Sequence, residues 1–324
     1  MSKRRKKRYS GIGGQAVLEG VMMKNNEKYA VAVRKPSGEI AVEVENYRGV
    51  LHENVFTKIP FLRGVINFID SMVLGTKVLN YSASFYEEDE ENTALDKALD
   101  KISGGNGEKV LSTIVTVISV VLALGIFVVL PTVVSNYFKN LDGVVMNPSL
   151  LVIIEGVIRI VIFLLYVLLI GMMKDIRRLY QYHGAEHKCI NCIERGRELT
   201  VENVMKSSRF HKRCGTSFIF FVLIVSIILF FFIRVDGLLM RVGLRLLLMP
   251  VVAGISYEVL RLAGRFDNIV INILSAPGFL FQKITTKEPD EDMVEVAIAS
   301  VNAVFDWREY LTETFGYAWD EEEA

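Results

Sequence analysis

The stretch VLSTIVTVISVVLALGIFVVLPTVV, residues 110–134, contains no charged side chain. A helix rises about 1.5 Å per residue, so this run outlasts a hydrocarbon core of roughly 30 Å. Three other runs are comparable. Residues 150–173 are apolar except for Glu155 and Arg159, and residues 216–233 are dense in Ile, Leu and Phe. Residues 238–260 are interrupted by Arg241, Arg245 and Pro250. Any one such run also suits a buried core helix. Four in one chain of 324 residues predict four membrane spans.

The composition fits that reading. Hydrophobic residues make up 51 % of the chain and the mean hydropathy is +0.34. Lys plus Arg total 37 and Asp plus Glu total 37, which excludes a generally basic nucleic-acid binder. Three cysteines exclude a secreted disulfide scaffold. The neutral sum hides separated blocks. The start, Lys3-Arg4-Arg5-Lys6-Lys7-Arg8, is followed by Gly11-Ile12-Gly13-Gly14 and not by an apolar run. It therefore reads as a cytoplasmic retention signal or a contact with anionic head groups, not as a secretory leader. Residues 174–215 carry ten Lys and Arg, whereas residues 136–148 carry only Lys139. The positive-inside rule puts the basic tail and the 174–215 segment on the cytoplasmic side. Four spans then leave both termini cytoplasmic, in a multi-pass protein of the cell membrane.

The expected organisation follows from these blocks. Residues 1–10 form the basic tail, and residues 11–85 an N-terminal α+β region. Within it, residues 28–46 predict a β-hairpin, with Tyr29, Val31 and Val33 against Ile40, Val42 and Val44 around a Pro36-Ser37-Gly38 turn. This is the one clear strand signal. Residues 59–80 predict an amphipathic helix with Leu62, Val65, Ile66, Ile69, Met72 and Val73 on one face, lying on the membrane or on the hairpin. Residues 86–109 are an acidic linker, 110–173 the first two spans, 174–215 a cytoplasmic His/Cys loop, and 216–262 the third and fourth spans. Residues 263–324 form a cytoplasmic C-terminal region. In it, residues 275–282 read as a re-entrant or interfacial break at Pro277-Gly278. Asp290, Glu291 and Asp292 then mark a helix N-terminus, and Asp320-Glu321-Glu322-Glu323 a solvated tail.

Three of the four histidines and all three cysteines fall in residues 174–215; the fourth histidine is His52. His183-Gly184-Ala185-Glu186-His187 is an H-x-x-E-H stretch. If the second span's helix continues through it, His183 and His187 share a face at i and i+4, a metal-chelating spacing, and Glu186 stands beside them as a general base toward water. His211-Lys212-Arg213-Cys214 comes just before the third span, on the same membrane face. A zinc site from His183, His187, His211 and Cys214 is chemically sensible, because Zn²⁺ accepts imidazole nitrogen and thiolate sulfur. Cys189-Ile190-Asn191-Cys192 adds a zinc-ribbon-like spacing with Cys214. A closed structural zinc and an open catalytic one both remain available at this point. Glu155 and Arg159, at i and i+4 in the second span, read as a neutralised pair or an intramembrane polar site. Glu19 is a lone acid in an apolar run.

The stretches Gly13-Gly14-Gln15-Ala16-Val17-Leu18-Glu19-Gly20-Val21-Met22-Met23, Tyr182-His183-Gly184-Ala185-Glu186-His187-Lys188 and His211-Lys212-Arg213-Cys214-Gly215-Thr216-Ser217-Phe218 resemble the YqhQ-like family. So do Pro250 to Glu258 and Thr285-Thr286-Lys287-Glu288-Pro289. The family is a bacterial membrane family of unknown function. The resemblance implies a multi-pass membrane protein and a metal-dependent enzyme with no established activity. It favours His183, His187, His211 and Cys214 over Cys189 and Cys192. A separate resemblance, to peptidases with H-x-x-E-H, implies that a downstream Glu completes the metal site. Glu258, about 70 residues after His187, is that candidate, with an ion pair to Arg261 as the plainer role.

The expected fold is thus an α-helical integral membrane protein with about four transmembrane helices and a small N-terminal α+β portion. The expected function is a zinc site at the cytoplasmic membrane face, hydrolytic through Glu186, acting on a membrane-associated peptide or lipid substrate. The competing class is a non-enzymatic membrane assembly or regulatory factor with a structural metal. The bilayer and other membrane proteins are the expected partners, and nucleic acid is not.

Overall fold

The computed structural model describes residues 8–51, 54–86, 107–139, 147–233, 235, 237–265 and 269–319. His52, most of the basic tail and acidic linker, and residues 320–324 lie outside the described residues. The chain is mostly helical, with an antiparallel sheet at its start. The strands are β1 (Gly13–Val17), β2 (Gly20–Asn25), β3 (Lys28–Arg34) and β4 (Ile40–Asn46). The helices are α1 (Leu62–Ala83), α2 (Gly107–Leu124), α3 (Leu130–Lys139), α4 (Pro148–Ile170), α5 (Lys174–Glu194) and α6 (Val201–Met205). Then follow α7 (Gly215–Phe232), α8 (Leu238–Arg265), α9 (Ile269–Thr285), α10 (Glu291–Val304) and α11 (Trp307–Phe315). Among the described residues four helical segments are long and apolar enough to cross a membrane: Thr113–Phe138, Ser149–Ile170, Gly215–Phe232 and Leu239–Gly264.

The chain divides into two compact units. The first comprises residues 1–86, 167–221 and 253–324. Its sheet has the order β1-β2-β3-β4, so the expected hairpin is the second half of a four-stranded meander. In the first half β2 was hidden because it is covered on both faces, which removes the alternation that marks a strand. Val21, Met23, Ala30 and Ala32 face α5 and α10, where they join Ile190, Ile193, Val294, Ala297 and Val301. Met22, Tyr29, Val31 and Val33 face the other way, onto Leu74 and Val78 of α1. The β1–β2 turn also lacks the usual signature, since Glu19 takes a positive φ of 48° where glycine is the common choice. Two hydrogen bonds from Arg178 and one from Tyr182 Oη (3.2 Å) hold its carboxylate, which accounts for a lone acid in an apolar run.

Two expectations change, and the packing of α1 becomes defined. α4 ends at Ile170 and the chain turns through residues 171–173 before α5 begins, so the H-x-x-E-H stretch lies on its own helix rather than in a loop or on an extension of the span. Residues 275–282 do not break, because Pro277 and Gly278 sit inside α9. Gly278 lets α9 close on α7: a Cβ there would be 2.8 Å from Ser217 Oγ. α1 buries Gly64, Leu74, Gly75, Val78 and Ser82 rather than its most apolar face; Leu62, Ile69, Met72 and Val73 are exposed. The α10 start is as expected, with Asp290 Oδ1 accepting from Met293 N at 2.9 Å.

The second unit comprises residues 87–166 and 222–252 and contains most of the span residues. A π-helical turn, Gly125–Val129, joins α2 to α3. Pro131 follows it and has no N–H for the carbonyl of Phe127, four residues earlier. Arg159 Nε donates to that oxygen instead, at 2.9 Å.

Candidate metal centre

α5 carries His183, Glu186 and His187 on buried turns of one helix. Gly184 makes this possible. A Cβ at that position would lie 2.0 Å from the Lys287 carbonyl oxygen, so only glycine lets α5 seat against the segment after α9. The seat is fixed by Lys287 N donating to Tyr180 O at 2.8 Å. Lys188 and Asn191 fix the other side. Lys188 Nζ donates to the carbonyls of Met205 (2.7 Å) and Ser207 (3.1 Å), and Asn191 Nδ2 to those of Ser208 (2.6 Å) and Phe210 (3.0 Å). These bonds pin the loop that brings Arg209 to His187.

The two imidazoles are oriented by backbone carbonyls. His183 Nδ1 lies 2.9 Å from Thr285 O, and His187 Nδ1 lies 2.6 Å from Arg209 O. A carbonyl oxygen only accepts, so each Nδ1 carries hydrogen and, in the neutral ring, each Nε2 carries the lone pair. Burial pushes His187 down to about 4, partly offset by Cys214, so its neutral form prevails at ordinary pH. His183 Nε2 is 3.2 Å from Cys214 Sγ, and the rings of His183 and His187 are 4.4 Å apart. One donor atom each from His183, His187 and Cys214 lies within 4.8 Å of the others. One S–H proton satisfies one imidazole lone pair and not two. A cation at the centre satisfies both, and the donor set of two nitrogens and one sulfur suits a transition metal.

Glu186 is the neighbouring acid. Its Oε2 is buried and has no hydrogen-bond partner among the described residues. Burial raises its carboxyl to about 8, with nearby His183 opposing the rise and Cys214 adding to it. Gly14 of β1 covers it: a Cβ there would be 2.9 Å from Glu186 Cγ.

The other residues singled out in the sequence lie apart from this cluster. His211 Nε2 is 3.4 Å from Glu194 Oε2, and Arg213 donates to Glu194 Oε1. The ring of His211 still lies 5.7 Å from that of His187. Glu258 is bound by Arg63 Nε at 2.6 Å and Nη2 at 2.5 Å, not by Arg261. Cys189 and Cys192 are buried free thiols. Burial raises Cys189 well above its ordinary value and Cys192 to about 11. Residues with no sequence motif complete the surroundings. Gln282 clamps His211 through both backbone groups, at 2.9 Å from its N and 2.7 Å from its O, and donates to Ser217 Oγ at 2.9 Å.

Residues 59–307 match the model of a family described as a protein of unknown function, DUF1385. The uncharacterized protein YqhQ of Bacillus subtilis (strain 168) is 37 % identical over 291 residues, which cover 90 % of this chain and 91 % of that protein. No solved structure matches the chain.

Proposed function

The chain belongs to the DUF1385 family of proteins of unknown function, and we propose its activity from its own residues: a membrane-embedded, metal-dependent hydrolase. The observation that carries this reading is the convergence of two imidazole lone pairs and one thiol beside a buried carboxylate oxygen that has no hydrogen-bond partner among the described residues. His183, His187 and Cys214 would hold zinc, which supplies Lewis acidity when bound. Three protein ligands would leave room for a water or a substrate oxygen. Glu186, buried beside His183 and Cys214, would be placed to accept a proton from water and return it to a leaving group.

Membrane-associated peptides or lipid-derived esters fit the location. Cys214 directly precedes the apolar helix Gly215–Phe232, and the exposed α1 face of Leu62, Ile69, Met72 and Val73 suits the headgroup boundary of the bilayer. On this reading the protein is a multi-pass component of the cell membrane with the metal centre and both termini on the cytoplasmic side.

Enclosure supports a second reading. His187 is 1 % and Cys214 5 % exposed, which suits a structural metal in an assembly or regulatory factor. Metal analysis of the purified full chain tests the site. His183→Ala and Cys214→Ala should each lose bound zinc, and unchanged metal content in both refutes the centre. Cobalt substitution separates the readings. An absorption spectrum that shifts on adding azide indicates an open position, and an insensitive one supports the structural metal.

A further inference from the structure

The described part of the second unit holds a charge imbalance where it is most expensive. Glu155, Arg159, Arg241 and Arg245 meet in one cluster, three guanidiniums around one carboxylate. Glu155 is 1 % exposed. Arg159 Nη2 lies 3.2 Å from its Oε1, while Arg241 Nη2 (2.9 Å) and Arg245 Nη2 (2.6 Å) reach its Oε2. Thr132 Oγ1 adds a donor at 2.8 Å. The carboxylate's lone pairs are filled, and two positive charges are left over. The flanking loops do not change the count, since Lys139 and Arg234 are balanced by Asp142 and Asp236.

The donors are also in excess. Three guanidiniums offer about fifteen N–H groups, five each. Among the described residues they make six hydrogen bonds. Arg241 makes one of these, to Glu155. Its other nitrogens are not among the buried side-chain atoms without a partner, which are Arg34 Nε, Glu186 Oε2 and Tyr310 Oη.

The cluster has a defined depth. Thr132, Glu155, Ser226 and Arg245 each lie six residues inside the nearer end of their span, at Phe138, Ser149, Phe232 and Leu239. Six residues are about 9 Å of helix. Arg241 is two residues inside, about 3 Å. A guanidinium there reaches the phosphate level of a leaflet by extending along its own stem. The π turn before Pro131 belongs to the same arrangement, because Arg159 is held by the carbonyl that Pro131 frees.

Unbalanced arginines are costly in a bilayer unless an anion meets them, and the guanidinium fork matches phosphate oxygens two at a time. We propose that Arg159, Arg241 and Arg245, held around Glu155, form a binding site for a phosphate oxyanion, borne by a lipid headgroup or free in solution. Arg241 is the outer contact; Arg245 and Arg159 supply the field beneath it. Glu155 and Thr132 set the spacing of the guanidiniums and leave the outer edge to the anion.

The test uses the full chain in a phosphate-free maltoside detergent, with and without added phosphatidylglycerol, and a titration of inorganic phosphate into the first set. Thermal unfolding is the readout. Wild type should be stabilised by phosphatidylglycerol if the anion is a lipid's, or by inorganic phosphate if it is free. Arg241→Gln should bind the same anion at least tenfold more weakly, while keeping its metal content at His183, His187 and Cys214. Arg245→Gln should do the same; should it fail to fold, Arg241→Gln decides alone, because its side chain has one contact to lose. No stabilisation by either anion overturns the proposal. Equal stabilisation of wild type and Arg241→Gln also overturns it.

Discussion

Gly184→Ala separates helix propensity from packing. In an open helix this change stabilises by about 1 kcal/mol, because glycine loses more backbone entropy on folding. At residue 184 the new Cβ would meet the Lys287 carbonyl oxygen at 2.0 Å. Real Cβ contacts essentially never fall below 3.0 Å, so helix and strap must part by about 1 Å. Overpacking of that kind costs about 1–3 kcal/mol. Loss of the Lys287 N to Tyr180 O bond (2.8 Å) adds about 1 kcal/mol. The sum exceeds the propensity gain, so the variant should be destabilised by about 1–3 kcal/mol. The same displacement pulls Thr285 O away from His183 Nδ1, and such second-layer losses typically cost 10–100-fold in metal affinity. Thermal unfolding in detergent and competition with a zinc chelator measure the two effects. Gly243→Ala, where a Cβ meets nothing within 4 Å, is the control and should be neutral or stabilising. A Gly184→Ala protein as stable as wild type, with undiminished metal affinity, would refute the close-approach argument.

Glu258→Gln should leave zinc content unchanged, since the carboxylate is occupied by Arg63, whereas Arg63→Ala should lower the unfolding temperature; loss of metal in Glu258→Gln would return that residue to the ligand set. In the native protein at pH 8, Cys192 should resist iodoacetamide, because a thiol raised to about 11 is only about one part in a thousand thiolate there, and Cys189 should resist it further. Peptide mapping of alkylated protein reads this directly, and rapid labelling of either residue contradicts their burial. A cysteine placed at Lys139 should react with an impermeant maleimide from the outside of intact cells, and one at Lys206 only after permeabilisation; the reverse pattern overturns the orientation. In metal-stripped protein, Glu186→Gln should gain stability over wild type as the pH rises from about 5 to 8. A carboxyl raised to about 8 in the folded state from an ordinary 4.5 stabilises below 4.5 and loses that contribution through 8. A pH-independent difference between the two proteins would show that Glu186 is not held protonated by burial.

The spans were legible because length and apolarity alone define them, and neither depends on what packs against them. The strand β2 was not legible for the opposite reason. A strand shows itself through one wet face, and Val21, Met22 and Met23 have none, since α5 and α10 cover one side and α1 the other. α1 was legible as an amphipathic helix, but its periodicity does not say which of its faces meets the sheet. Here the sheet takes the smaller face around Gly75, Leu74 and Val78, and Met72 and Val73 stay exposed.

At the site, spacing predicted that His183 and His187 share a helix face, and the H-K-R-C stretch supplied the thiol; such ligands announce themselves by residue type. What spacing cannot supply is the tautomer. Thr285 O and Arg209 O decide which nitrogen of each ring is free, and neither position has a distinctive side-chain signature, because only its carbonyl matters. The same reasoning separates His211 from the three. It is as good a ligand by type as the others, yet its Nε2 is already engaged, either donating to Glu194 Oε2 or accepting from Arg213 Nη2. Glu186 is the converse case. Gly14 closes over it, its Oε2 has no hydrogen-bond partner among the described residues, and burying a carboxyl in that state is unfavourable unless something else at the site uses it. A fold that needed only a structural metal at this point would do better with leucine at residue 186. The retained acid is therefore the feature that a purely architectural role leaves unexplained.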